Sequence, residues 1–123
     1  PQGLANTAWA FAKAGVEAPR LFRAIAEEAS IKVAACSPQN YANIVWAYAK
    51  LRVEAPGLFE AIAAEAPNQI KTFDPQAFAN TVWAFATAGV EAPALFEAVA
   101  AESSKKILKF NPQDLANTVW AYA

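Results

Sequence analysis

Apolar and polar residues recur along this chain with the period of a helix. In the first twelve residues, Leu4, Thr7, Ala8 and Phe11 fall on one side of a wheel drawn at about 100° per residue. Ala5, Trp9 and Ala12 widen that apolar arc, and Gln2, Gly3, Asn6, Ala10 and Lys13 lie opposite. The pattern predicts a helix over residues 1–14, helix A, stopped at Gly15, where glycine turns left-handed at no steric cost. A second helix, helix B, opens at Pro19 after the linker Val16-Glu17-Ala18 and carries Leu21, Phe22 and Ile25 as a buried stripe. It is expected to reach about residue 35.

The pattern then repeats. PQGLANTAWAFA at Pro1 returns as PQNYANIVWAYA at Pro38, PQAFANTVWAFA at Pro75 and PQDLANTVWAYA at Pro112, each 37 residues after the last. A fixed period of this size signals a helical repeat array. The predicted fold is all-α: an α-solenoid of tandem 37-residue helix-turn-helix repeats, 1–37, 38–74, 75–111 and the partial repeat 112–123, forming one domain. Such an array buries its core between neighbouring units. Ser37, Asp74 and Asn111 precede the helix-opening prolines and are favoured N-cap types. Gly89 matches Gly15, whereas Arg52 stands at that place in the second unit, where a left-handed turn costs about 1 kcal/mol. The helix B stripe returns as Leu58, Phe59, Ile62 and as Leu95, Phe96, Val99. Pro67 is expected to break the second helix B, with a short turn from Asn68 to Lys71, and the third helix B to reach residue 109. Phe73 and Phe110 close their units; Cys36, in the same place, reads as a small buried hydrophobe rather than a reactive thiol. Beginning at the first residue of one repeat and stopping inside another, the chain reads as a fragment.

Composition narrows the function. Ten Lys and Arg against 11 Asp and Glu leave a formal net charge of −1, which disfavours strong non-specific nucleic-acid binding. With no His, Ser-His-Asp and Cys-His arrangements are excluded within the segment. No Gly-rich phosphate loop and no metal-spaced Cys/His cluster occurs. Acidic pairs such as Glu27-Glu28 read as a solvated helix face. The expectation is a non-enzyme with no cofactor and no metal. The single cysteine suits a reducing compartment, and no apolar run is long enough for membrane insertion.

Candidate binding residues lie on the polar side of helix A. Its third position varies as Gly3, Asn40, Ala77 and Asp114, while Asn6, Asn43, Asn80 and Asn117 recur unchanged. Asparagine is a poor helix-interior residue, so its recurrence needs a reason. Either the amides bond neighbouring repeats as a ladder, or they point into an open surface that pairs with base edges. Trp9, Trp46, Trp83 and Trp120 read as packing between repeats, with base stacking as the sharper alternative. Lys13 and Lys50 on helix A join Lys32, Lys71, Lys105, Lys106 and Lys109 near helix B ends, either as one basic stripe or as cations placed at helix C-termini.

The motif PQxxANxxWA(F/Y)A followed by GVEAPxLF resembles the octotricopeptide and heptatricopeptide repeat proteins of algae and related protists, and the resemblance covers essentially the whole chain. It implies an organellar RNA-binding α-solenoid, in a chloroplast or mitochondrion, acting in transcript stability, processing or translation. Each unit would then address about one nucleotide of single-stranded RNA, through Gly3 with Asn6, Asn40 with Asn43, Ala77 with Asn80 and Asp114 with Asn117, beside Lys13 and Lys50. Gly3 and Ala77 offer no side-chain hydrogen bond. The alternative is a protein-protein scaffold, binding protein subunits of a large organellar ribonucleoprotein.

Overall fold

A computed structural model describes residues 2–123. It contains seven α-helices and, among the described residues, no strand. The A-type helices are α1 (Gln2–Ala14), α3 (Pro38–Leu51), α5 (Pro75–Ala88) and α7 (Pro112–Tyr122); the B-type helices are α2 (Pro19–Ile31), α4 (Pro56–Glu65) and α6 (Pro93–Lys105). The closest packing joins α1 to α3, α3 to α5 and α5 to α7, and the B helices touch one another less.

Local chemistry sets the helix ends. The side chains of Ser37, Asp74 and Asn111 accept from the backbone N–H three residues on, at 3.1, 2.8 and 2.7 Å. Each proline that follows needs no such acceptor, because it has no N–H. The B helices also open on proline, but their N-caps Ala18, Ala55 and Ala92 make no side-chain bond. Gly15, Gly89 and Arg52 all turn left-handed, Arg52 at φ 57°. At each, two N–H groups fold back on the last helical turn: Gly15 to Ala12 and Val16 to Phe11, then Arg52 to Ala49 and Val53 to Tyr48, then Gly89 to Ala86 and Val90 to Phe85. This is the Schellman arrangement, and it satisfies the strained Arg52 turn as fully as the glycine ones.

Helix B is shorter than expected. α2 stops at Ile31 and a 3₁₀ segment, Val33–Ala35, follows; α6 stops at Lys105 before Ile107–Lys109. Pro67 does end α4, but the chain continues through a longer 3₁₀ segment, Ala66–Thr72, where a short turn was expected. Tightening into 3₁₀ geometry lets the chain reach the next N-cap while still pairing its carbonyls.

The core is continuous from α1 to α6. Phe22, Leu58, Phe59, Ile62, Leu95 and Val99 bury the helix B stripe, and Phe73, Phe110 and Cys36 are buried where the units join. Burial pushes the Cys36 thiol up, as suits a packed hydrophobe. Helix A is more deeply enclosed than its wheel suggests. Ala47 and Ala84, at the place of the exposed Ala10, are fully buried. A methyl there lets adjacent A helices approach closely.

Thr81 is fully buried, and its Oγ1 has no hydrogen-bond partner. Thr7 and Thr118, at the same repeat position, donate to Gly3 O and Asp114 O, while Ile44 fills the place with hydrocarbon. Thr81→Val is expected to stabilise the fold by about 1 kcal/mol, because it removes an unpaired buried hydroxyl at nearly constant volume. Chemical denaturation checks this through a raised midpoint.

Tyrosine hydroxyls tie repeats together. Tyr48 donates to Phe22 O, and Tyr122 repeats the bond to Phe96 O at 2.6 Å. Tyr41 donates to Val33 O at 2.9 Å, and Gln69 Nε2 donates to both the Tyr41 hydroxyl and Cys36 O. Burial raises all three hydroxyls; Tyr41, also facing the Glu65 charge, and Tyr122 reach about 12, and Tyr48 goes higher still. The folded chain therefore keeps protons that the unfolded chain releases near pH 10. Stability is full below that pH and falls as pH rises through 10 towards 12 and beyond. A denaturation series from pH 8 to 12 should show the midpoint falling only above about pH 10, in step with tyrosinate absorbance. A midpoint flat to pH 12 would contradict that coupling.

Candidate nucleic-acid or protein interface

The stacking of A helices brings the recurrent polar residues of three repeats into one groove of about 290 Å³. It is lined by Asn6 and Trp9 from α1, Gln39, Ala42 and Asn43 from α3, and Gln76, Ala77 and Asn80 from α5, with the α5 N-cap Asp74. Among the described residues, the side chains of Asn6, Asn43, Asn80, Gln39 and Gln76 make no hydrogen bond within the protein. The ladder expectation is therefore not what the amides do: they do not bond one another or a neighbouring carbonyl. In the last unit the amide is occupied, since Asn117 Oδ1 accepts from Gln113 Nε2 at 3.2 Å.

The third position has a different duty from the asparagines. Asn40 Oδ1 accepts from Ser37 N at 3.0 Å and Asp114 Oδ2 from Asn111 N at 3.4 Å, closing capping boxes at the starts of α3 and α7. Asp114 is only 7% exposed and Ala77 only 4%. Gly3 is exposed, with open space around it. Asn40 and Asp114 thus spend their carbonyl or carboxylate oxygens on helix starts, and Ala77 presents almost no surface. Of the expected pairs, Ala77 and Asn80 both line the groove, whereas Asn40 and Asp114 are not among its lining residues.

Three of the seven lysines of the expected basic stripe bond groups within the protein. Lys32 pairs with Glu28 at 2.8 Å and Lys105 with Glu102 at 3.5 Å, exposed pairs worth little. Lys106 Nζ donates to Lys71 O and Phe73 O at 2.7 and 2.8 Å and lies 5.6 Å from the Phe78 ring centre. Lys106 thereby fastens the third unit to the end of the second. Lys13 Nζ stands 5.7 Å from the Trp9 ring centre, and Lys50 is exposed at the far end of α3. Neither lines the groove.

The indoles are intermediate between the two expected roles. Trp46 and Trp83 are half-buried against the core, while Trp9 and Trp120 are exposed. They pair as Trp9–Trp46 and Trp83–Trp120, each at 6.4 Å and tilted. One indole thus packs while its neighbour presents a face.

Gln39 and Gln76, expected on the polar side of helix A with the asparagines, and Trp9, expected to pack or to stack on bases, belong to the groove, as does Asp74, which was expected only as a cap. The glutamines were visible as an invariant second position in all four units. Asp74 was legible only as a cap, and its Oδ1 does hold Ala77 N. Asn43→Ala is expected to stabilise the chain by about 0.5 kcal/mol, since alanine is the better helix former and no bond is lost. A destabilisation on denaturation would restore a structural role for the amide.

Among the described residues there is no cluster of three or more potential metal ligands, and no helix is long and apolar enough to cross a membrane. No curated protein matches the chain. Its sequence does match the family described as RNA-editing substrate-binding complex 6 protein, over residues 1–123. This corrects the expected kinship with the octotricopeptide and heptatricopeptide repeat proteins. A proline-opened, alanine-rich helix pair with a tryptophan filler is a packing solution, so its period and composition do not separate families. Because the match spans every residue, the chain belongs to the RNA-editing substrate-binding complex 6 protein family.

Proposed function

We propose that this chain is a protein-interaction scaffold within an RNA-editing complex, built as a single α-solenoid of repeats 1–37, 38–74 and 75–111 with the partial unit 112–123, and without catalytic activity of its own. The observation that carries the reading is electrostatic. The groove lined by the recurrent polar residues contains no lysine or arginine and one carboxylate, in a chain of net charge −1. Such a surface gives little of the phosphate neutralisation on which nucleic-acid affinity depends. Membership in a family named for a substrate-binding complex supports an assembly role. Of the two organelles expected, the mitochondrion is the one this family supports.

The test is affinity purification of the protein from mitochondria with and without nuclease. Retention of its partner proteins after complete RNA digestion is the expected result. Their release would overturn the scaffold reading.

A second reading, direct binding of single-stranded RNA on the helix A face, is favoured by the unpartnered amides of Asn6, Asn43 and Asn80 beside exposed Trp9. It predicts RNA binding that weakens with salt and is lost on replacing Asn43 and Asn80 with alanine. Lys13 and Lys50 would supply phosphate contacts, and Asn117 would extend the face to the fourth unit. Binding indifferent to these changes rejects this second reading.

A further inference from the structure

We propose that the groove holds an extended, basic segment of a partner polypeptide, its peptide groups paired with the asparagine amides. This rests on the scaffold reading and names its docking site.

The amides supply the first reason. A side-chain amide carries both a donor and an acceptor, the same complement as a peptide group. Asn6, Asn43 and Asn80 offer three such pairs from three successive repeats, with Gln39 and Gln76 beside them, all unused by the protein itself. An incoming helix would have its own peptide groups already bonded and could not use them. An extended chain has them free.

Spacing supplies the second. Packed helices stand about 8–10 Å apart. A polyproline II chain advances about 9.3 Å in each three-residue turn, from its rise of about 3.1 Å per residue. Successive asparagines then meet the same edge of the ligand. A β-strand repeats its edge every two residues, about 6.7 Å, and falls out of step.

Charge supplies the third. No cation lines the groove, and Asp74 brings one anion to it. An RNA backbone would meet a carboxylate, whereas a lysine or arginine side chain would gain it as a partner. Trp9 adds an exposed aromatic surface for the aliphatic stem of that side chain. The chain's own Lys13 already stands over the ring, with Nζ 5.7 Å from its centre.

The experiment titrates a fluorescein-labelled peptide, a four-fold repeat of Lys-Ala-Pro, into the full chain, with its Glu-Ala-Pro counterpart and a random-sequence single-stranded RNA as separate arms. The basic peptide is expected to bind and the acidic one not. Asn43→Ala with Asn80→Ala should weaken binding at least about tenfold while the chain stays folded. Asp74→Asn keeps an N-cap side chain but removes the charge, and should weaken the basic peptide alone. Equal binding of both peptides, no binding of the basic one, or binding indifferent to the double substitution overturns the proposal. So does RNA binding that the double substitution abolishes while the peptide is not held. If partner proteins survive nuclease yet remain bound to the double variant, the groove assignment fails and the scaffold reading stands. If nuclease releases them from the unsubstituted chain, the scaffold reading itself fails.

Discussion

Phe78→Ala is expected to lower stability by about 4 kcal/mol, the largest effect of any single truncation considered for this chain. The ring is fully buried and forms the middle of an aromatic column. Phe73 lies 5.2 Å away on one side and Phe110 6.4 Å on the other, both stacked, with Tyr41 beyond Phe73 at 6.3 Å. Three losses coincide at this site: the transfer energy of the ring, the cavity it leaves, and the aromatic contacts, each of these worth about 0.5–1.5 kcal/mol. They overlap and do not sum in full. Lys106 is affected too, because its Nζ rests over the ring while bonding Lys71 O and Phe73 O. Leu115→Ala, at the same repeat position but partly exposed, should cost less than about 1 kcal/mol. Denaturant midpoints for the two variants check the contrast. Equal losses would mean that repeat position, rather than enclosure, governs the energy.

Ala47→Leu should destabilise by about 3 kcal/mol, for the opposite reason. Ala47 is fully buried in α3, which packs against both α1 and α5. Three added carbons have no cavity to enter, so the helices must separate or the side chain must leave its rotamer. The same change at Ala10, exposed on α1, should stay within about 0.5 kcal/mol. Thermal and chemical unfolding of both variants would reveal the difference; a harmless Ala47→Leu would show that the A helices are not in close contact.

These pairs of variants mark where the sequence was legible. Helix starts were readable because the cap is local: Ser37, Asp74 and Asn111 each reach only three residues ahead. Stops were readable for the same reason, including the strained turn at Arg52. Helix B ends were misjudged because the hydrophobic pattern continues through the 3₁₀ segments, and periodicity does not separate the two helix types over three residues. The local duty of the third position was not legible, because its variability suggested recognition, whereas Asn40 and Asp114 serve capping boxes and Ala77 is buried. Capping tolerates several polar residues, so variation there carries no message about a ligand.

By itself, the sequence determined the period of 37, the α-helical class and the caps, because backbone preferences and side chains a few residues apart decide those. It also placed Asn6, Asn43 and Asn80 on one polar edge. Tertiary structure alone decided what that edge is. Only the packing of α1, α3 and α5 brings residues 37 positions apart into one groove and leaves their amides unpaired. It also draws Lys106 onto the carbonyls of Lys71 and Phe73 in the preceding unit. Hydrogen bonds and ion pairs are settled by distances of a few ångströms, and a wheel drawn for one helix contains no distance to the next.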